Sequence, residues 1–144
     1  MKAAGWIGII AALAVLSPAA ASSEPLTPRE RMTSQEVRLI RDANSTNKVC
    51  ETSLEVKFNW EGVREDELLK YSAEGRCDAA LEGIRRVCGD PSGKDAVKEK
   101  IKSVTCGFGA SREIALKDGV VSYKINFNST NDSDFVYEAL ENAL

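Results

Sequence analysis

Four acidic side chains crowd the stretch just after a tryptophan: Glu61, Glu65, Asp66 and Glu67 follow Trp60. Paired carboxyl groups can hydrolyse glycosides, one as general acid and the other as nucleophile or base. The indole offers a face on which a sugar could stack. A carboxylate-dependent hydrolase using two of these four acids is therefore the catalytic reading. The plainer reading is a hydrophilic connection, because acidic clusters are usually solvated.

The chain contains no histidine. That removes Ser-His-Asp and Cys-His catalysis, the H-E-x-x-H zinc proteases and the usual proton shuttle of neutral pH. Gly107-Phe108-Gly109-Ala110 is a glycine-rich fragment without the Lys-Ser/Thr ending of a phosphate loop or the third glycine of a dinucleotide motif. It reads as a bulge or tight turn between strands. Asn131-Asp132-Ser133-Asp134 offers oxygen ligands but lacks the spacing and terminal glutamate of a calcium loop, and helix capping accounts for it. Lys94, Lys98, Lys100 and Lys102 read as a solvated face, with a stripe for an acidic partner as the alternative. No catalytic residue is assigned, and no cofactor or metal is expected.

Cys50, Cys77, Cys88 and Cys106 are the four cysteines. They form no C-x-x-C pair, which argues against redox catalysis and against a structural zinc site. An even number in an exported small domain reads as two disulfides. Export is read from the first 21 residues: Lys2, an apolar run from Trp6 to Leu16, a break at Ser17-Pro18, and Ala19-Ala20-Ala21 before the expected cut at Ser22. The apolar core spans about 11–15 residues, short of the roughly 20 that cross a bilayer. No later segment is apolar enough to span a membrane. A bacterial periplasmic or extracellular protein is the expectation.

The net charge is −3, and loss of Lys2 with the leader makes it more negative by one. This balance argues against nucleic acid, which needs a basic face. It also argues against an anionic membrane surface, although a local basic stripe stays open.

The remaining chain must hold these groups in place. Residues 22–32, with Pro25 and Pro28, read as a flexible lead-in to one small domain over 33–144. Thr33 and Glu36 form a capping box that starts a helix. Its inward face carries Val37, Ile40 and Ala43 or Asn44, and it fades through Asn44–Asn47. Leu54, Val56, Phe58 and Trp60 alternate with polar residues, predicting a strand with one wet face, which is typical of antiparallel sheets. A charged connection with a short helix near Glu65–Lys70 follows, then a helix from about Arg76 to Cys88. Its interior Gly83 is explained by close approach to the sheet. Asp90–Gly93 reads as a turn and Lys94–Ser103 as a helix. Strands follow near Val104–Phe108, Glu113–Lys117 and Val120–Phe127, the last two joined by an Asp118-Gly119 hairpin. A final helix runs from Ser133 to about Ala143. Without the short helix of the connection, the order is α-β-α-α-β-β-β-α. The fold expected is α+β: a four-stranded, mainly antiparallel sheet with helices on one face and two disulfide staples.

If residues 77–88 are helical, Cys77 and Cys88 lie about 16 Å apart, too far for a bridge. Two pairings remain. The up-and-down course of strand and helices favours Cys50–Cys88 with Cys77–Cys106. Function is read mostly by exclusion. The leading expectation is a noncatalytic domain that binds another exported or envelope protein, through a sheet edge or the 61–76 connection, with Tyr71 as the first anchor to test. The alternatives are the hydrolase and a carrier of a small apolar ligand, which would need a cavity between sheet and helices.

Overall fold

A computed structural model describes residues 24–144. The expected leader, residues 1–21, lies outside the described residues. Helix α1 (Pro28–Cys50) begins at Pro28 rather than Thr33. Thr27 and Glu30 form the capping box instead, with Pro28 in the first turn, where its missing N–H costs nothing. Residues 28–32 thus belong to the helix and not to a lead-in. The helix also runs through the polar stretch expected to end it. Thr46 is fully buried, its hydroxyl bonded to the Asp42 carbonyl (3.1 Å) and receiving Arg85 (2.9 Å). Asn47 turns its amide onto the following segment: it donates to the Leu54 carbonyl (3.0 Å) and accepts the Leu54 N–H (2.7 Å). Tertiary partners outweigh the poor helix propensity of these residues.

The inward face of α1 also differs from expectation. Gln35, Leu39, Ala43, Thr46 and Cys50 are buried, whereas Val37 and Ile40 are 62% and 56% exposed. The helix is rotated because Gln35 accepts the Glu74 N–H (3.0 Å) and Glu36 accepts the Trp60 indole N–H (2.6 Å).

Strand β1 (Glu55–Asn59) is followed by α2 (Glu65–Lys70), α3 (Ala73–Val87) and α4 (Pro91–Lys100), three helices where the expected order has two. Asp90 caps α4 with Pro91 in its first turn, so the Asp90–Gly93 segment expected as a turn starts that helix. Strands β2 (Ser103–Phe108), β3 (Glu113–Lys117) and β4 (Val120–Ile125) precede α5 (Asp132–Ala143). The sheet order is β1-β2-β4-β3. β1 and β4 both run parallel to β2, and only β3–β4 is antiparallel. The sheet is therefore mixed and mostly parallel, not mainly antiparallel. Period-two burial reports one wet face and carries no strand direction. The direction comes from the long helical connection between β1 and β2, which returns the chain to the same end of the sheet. The β3–β4 hairpin then folds β4 into the slot beside β2. Its turn residues, Asp118 and Gly119, have φ of 51° and 81°.

Val104, Cys106, Val121, Tyr123 and Ile125 are buried together with Leu39, Leu81, Ile84, Val97, Val136 and Leu140 in one core cluster. Gly83 does lie at a close approach, but to α5 and not to the sheet. A Cβ there would stand 2.8 Å from the Ser133 carbonyl oxygen and 2.9 Å from the Val136 Cβ. Disulfides join Cys50 to Cys88 and Cys77 to Cys106, with Cα separations of 5.3 and 5.9 Å. All four cysteines are buried. The bridges tie the two ends of α3 to the end of α1 and the middle of β2.

Candidate functional site

The short helix α2 lies between two surface recesses that share Lys70 and Tyr71. The first, about 300 Å³, opens between α2 and the start of α1 and is lined by Leu26, Arg31, Arg38, Leu69, Lys70 and Tyr71 among others. The second, about 340 Å³, opens between α2 and the carboxyl ends of β2 and β4.

α2 is too short to bury both of its leucines. Leu68 is buried at 5% exposure, and the adjacent Leu69 is left 62% exposed. Leu26, just ahead of the α1 cap, is 51% exposed and lines the same recess. The recess has cations and no acid in its lining. Arg38 is held by Glu74 (3.2 Å) and Ser34 (2.8 Å). Among the described residues Arg31 and Lys70 form no ion pair. Arg31 donates to the Leu26 carbonyl (3.2 Å), which holds the chain entering α1, and Lys70 stands 5.2 Å from the Tyr71 ring centre.

Tyr71, expected as an exposed anchor, is half-buried. Its ring stacks on Phe127 at 4.6 Å, and Phe127 stacks in turn on Phe108 at 5.2 Å. This row of rings closes the ends of β2 and β4. The second recess contains Asp66 and Glu67, two of the four acids considered for hydrolysis, while Glu61 and Glu65 stand exposed outside it. Both lining acids are already committed. Asp66 takes a bidentate pair from Arg64, which holds its carboxyl below the ordinary range. Glu67 accepts the Arg64 backbone N–H (2.9 Å) as the cap of α2. A glycosidase acid needs the opposite shift, upward, from burial or a like charge. Trp60 is committed as well, its ring 4.3 Å from Phe58 and its N–H on Glu36.

Behind the second recess lies a buried polar clasp. Asp132 is 4% exposed and accepts both Arg76 and the Tyr123 hydroxyl. Arg76 also donates to the Asn126 carbonyl (2.9 Å) and Ser129 Oγ (3.0 Å). Burial, with Asp132 alongside, pushes the Tyr123 hydroxyl well above its ordinary value. Asp132 also supports the Arg76 charge. Every donor in this clasp has an acceptor, so it fastens the loop 126–131 to α3. The Asn131–Asp134 segment starts α5, but the Asn131 side chain makes no capping hydrogen bond, and Asp132 serves instead as an internal ion-pair partner. Among the described residues no group of three or more His, Cys, Asp or Glu side chains is placed to hold a metal. Gly109 donates its N–H to Ile125 (2.9 Å), so the Gly107–Ala110 fragment ends a strand.

The α4 lysines are largely internally compensated. Lys94 and Lys98 grip Glu51 at 3.0 and 2.8 Å and pull its carboxyl down to about 2. Lys100 reaches the Leu144 oxygen, and Lys102 donates to the Lys98 carbonyl (3.2 Å). A groove of about 650 Å³ beside them is lined by Glu51, Glu55, Lys98 and Lys102, a mixture of both signs. The grooves beside α2 and α4 open at the surface.

Sequence reasoning missed Leu26, Arg31 and Leu69. The signal for Leu69 was the Leu68-Leu69 doublet in a six-residue helix: successive side chains stand about 100° apart, so a narrow buried stripe takes one and leaves the other at its edge. The signal for Leu26 and Arg31 was Thr27-Pro28-x-Glu30, a capping box with proline just inside it. Comparison with protein-family models, curated proteins and solved structures finds no match to this chain.

Proposed function

We propose that this chain is an exported, noncatalytic binding module, its helices covering one face of the sheet and its contact surface formed by the 61–76 connection and the start of α1. The observation that carries this reading is the exposed pair Leu26 and Leu69 flanking one recess, beside cations without acidic partners. Apolar side chains that a short helix cannot bury are costly in water unless a partner covers them. The two disulfides and the lack, among the described residues, of a helix able to cross a membrane are compatible with export. The leader read from residues 1–21 supports it. A partner in the same compartment, an exported or envelope protein, follows from that location.

The test is site-specific photo-crosslinking. A photoreactive residue at position 69, in residues 22–144 folded under oxidising conditions, is exposed to native envelope and culture medium. One reproducible, saturable protein adduct, absent when the photoreactive residue stands at position 99 on α4, is the expected result. Equal labelling from both positions, or none from either, defeats the reading.

A further inference from the structure

We propose that the recess between α1 and α2 receives an acidic polypeptide segment carrying an apolar anchor; this rests on reading that surface as the contact site of a binding module. Two features of the recess select the ligand together. Leu26 and Leu69 supply an apolar wall, and Arg31, Lys70 and Arg38 supply charge of one sign. Glu74 already answers Arg38. Arg31 and Lys70 remain to be answered from outside, and an acidic side chain does so at the distance of an ordinary ion pair. The volume, about 300 Å³, is at the small end for ligand pockets and suits one anchoring side chain with a neighbouring carboxylate.

The same observations disfavour an anionic membrane. A membrane is a broad plane, and the site is concave. Glu65, Asp66 and Glu67 crowd the first turn of α2 and would be driven against that plane. A peptide lying in the recess meets α2 at Leu68, Leu69 and Lys70, at the far end of the helix from those acids. The α4 face differs in kind, because its lysines grip Glu51 within the chain.

The experiment uses fluorescence anisotropy with a labelled twelve-residue helical peptide of leucine and glutamate. The matched peptide has glutamine for every glutamate, and the third probe is vesicles of mixed phosphatidylglycerol and phosphatidylethanolamine. The expected result is saturable binding of the acidic peptide that weakens with salt. It should fall about tenfold or more in Lys70→Glu, in Arg31→Glu and with the glutamine peptide. Leu69→Ser should weaken both peptides. Lys94→Glu, on α4, should leave binding unchanged, which separates local contact from net charge. Equal affinity for the two peptides overturns the acidic requirement, and so does an equal effect of Lys94→Glu. Binding to vesicles but not to peptide overturns the choice of partner, and binding to neither overturns the proposal. The crosslinking at position 69 reports separately whether the surface binds any protein.

Discussion

Arg76, behind the second recess, and Arg31, in the lining of the first, are both cations, and their surroundings are opposite. The Arg76 side chain is 20% exposed and donates to Asp132, two backbone carbonyls and Ser129. Arg31 donates to one carbonyl of its own lead-in segment. The same contrast holds for the apolar residues. Around Arg76 the rings of Tyr71, Phe127 and Phe108 cover one another, whereas near Arg31 the two leucines face water. Paired and covered groups hold a fold together. Unpaired and uncovered groups grouped at one place are what a partner can use.

Breaking the first region should unfold the protein, and altering the second should leave stability alone. The largest effect is expected of Asp132→Ala, which strands the Arg76 charge and the Tyr123 hydroxyl. A loss of about 3–5 kcal/mol is expected in chemical denaturation. A loss under about 1 kcal/mol would mean the clasp differs little from the surface. Removing the Cys77–Cys106 bridge by a double alanine substitution should cost about 3 kcal/mol, since it frees a loop spanning a sequence separation of 29. Thermal melting with and without reductant would check this. Gly83→Ala should cost about 1–3 kcal/mol, because the new methyl group meets the backbone of α5.

Alkali sharpens the comparison further. Unfolded tyrosine ionises near about pH 10, and folded Tyr123 ionises well above that because it is buried against Asp132. Its contribution is complete below the unfolded value and is lost as pH rises beyond it towards the folded value. Stability should therefore fall above about pH 10, and Tyr123→Phe should flatten that slope while costing about 1 kcal/mol at neutral pH. Denaturant midpoints across pH 8–11 would measure it. The smallest effects belong to Leu69→Ser, Arg31→Glu and Lys70→Glu, each expected within about 0.5 kcal/mol of the parent in the same denaturation. A larger loss at any of them would make that residue part of the fold.

Several elements were legible because their causes are local. Alternation of Leu54, Val56, Phe58 and Trp60 marks a strand next to a wet face, and Asp118-Gly119 marks a hairpin because both positions need positive φ. The three-and-four spacing of Cys77, Ala80, Leu81 and Ile84 marks the buried stripe of α3, and all four are buried. The candidate site was much less legible. The 61–76 connection could be named as a place for a partner, but Tyr71 proved to be stacked rather than free, and Leu26 sat in a segment read as flexible. Val37 and Ile40 were misplaced because helix rotation is set by contacts made elsewhere, with Trp60 and with Glu74.

Local chemistry in the chain thus determined which segments are helices and strands, which face of most of them is apolar, and that no histidine-based chemistry is possible. These follow from dihedral preference, periodicity and composition, all of which act over a few residues. Tertiary structure alone decided the parallel pairing of β1, β2 and β4, the rotation of α1, the partnership of Arg76 with Asp132, and the exposure of Leu69 beside Leu26. Each of these joins residues far apart in sequence, and which distant groups meet depends on how all the layers pack at once.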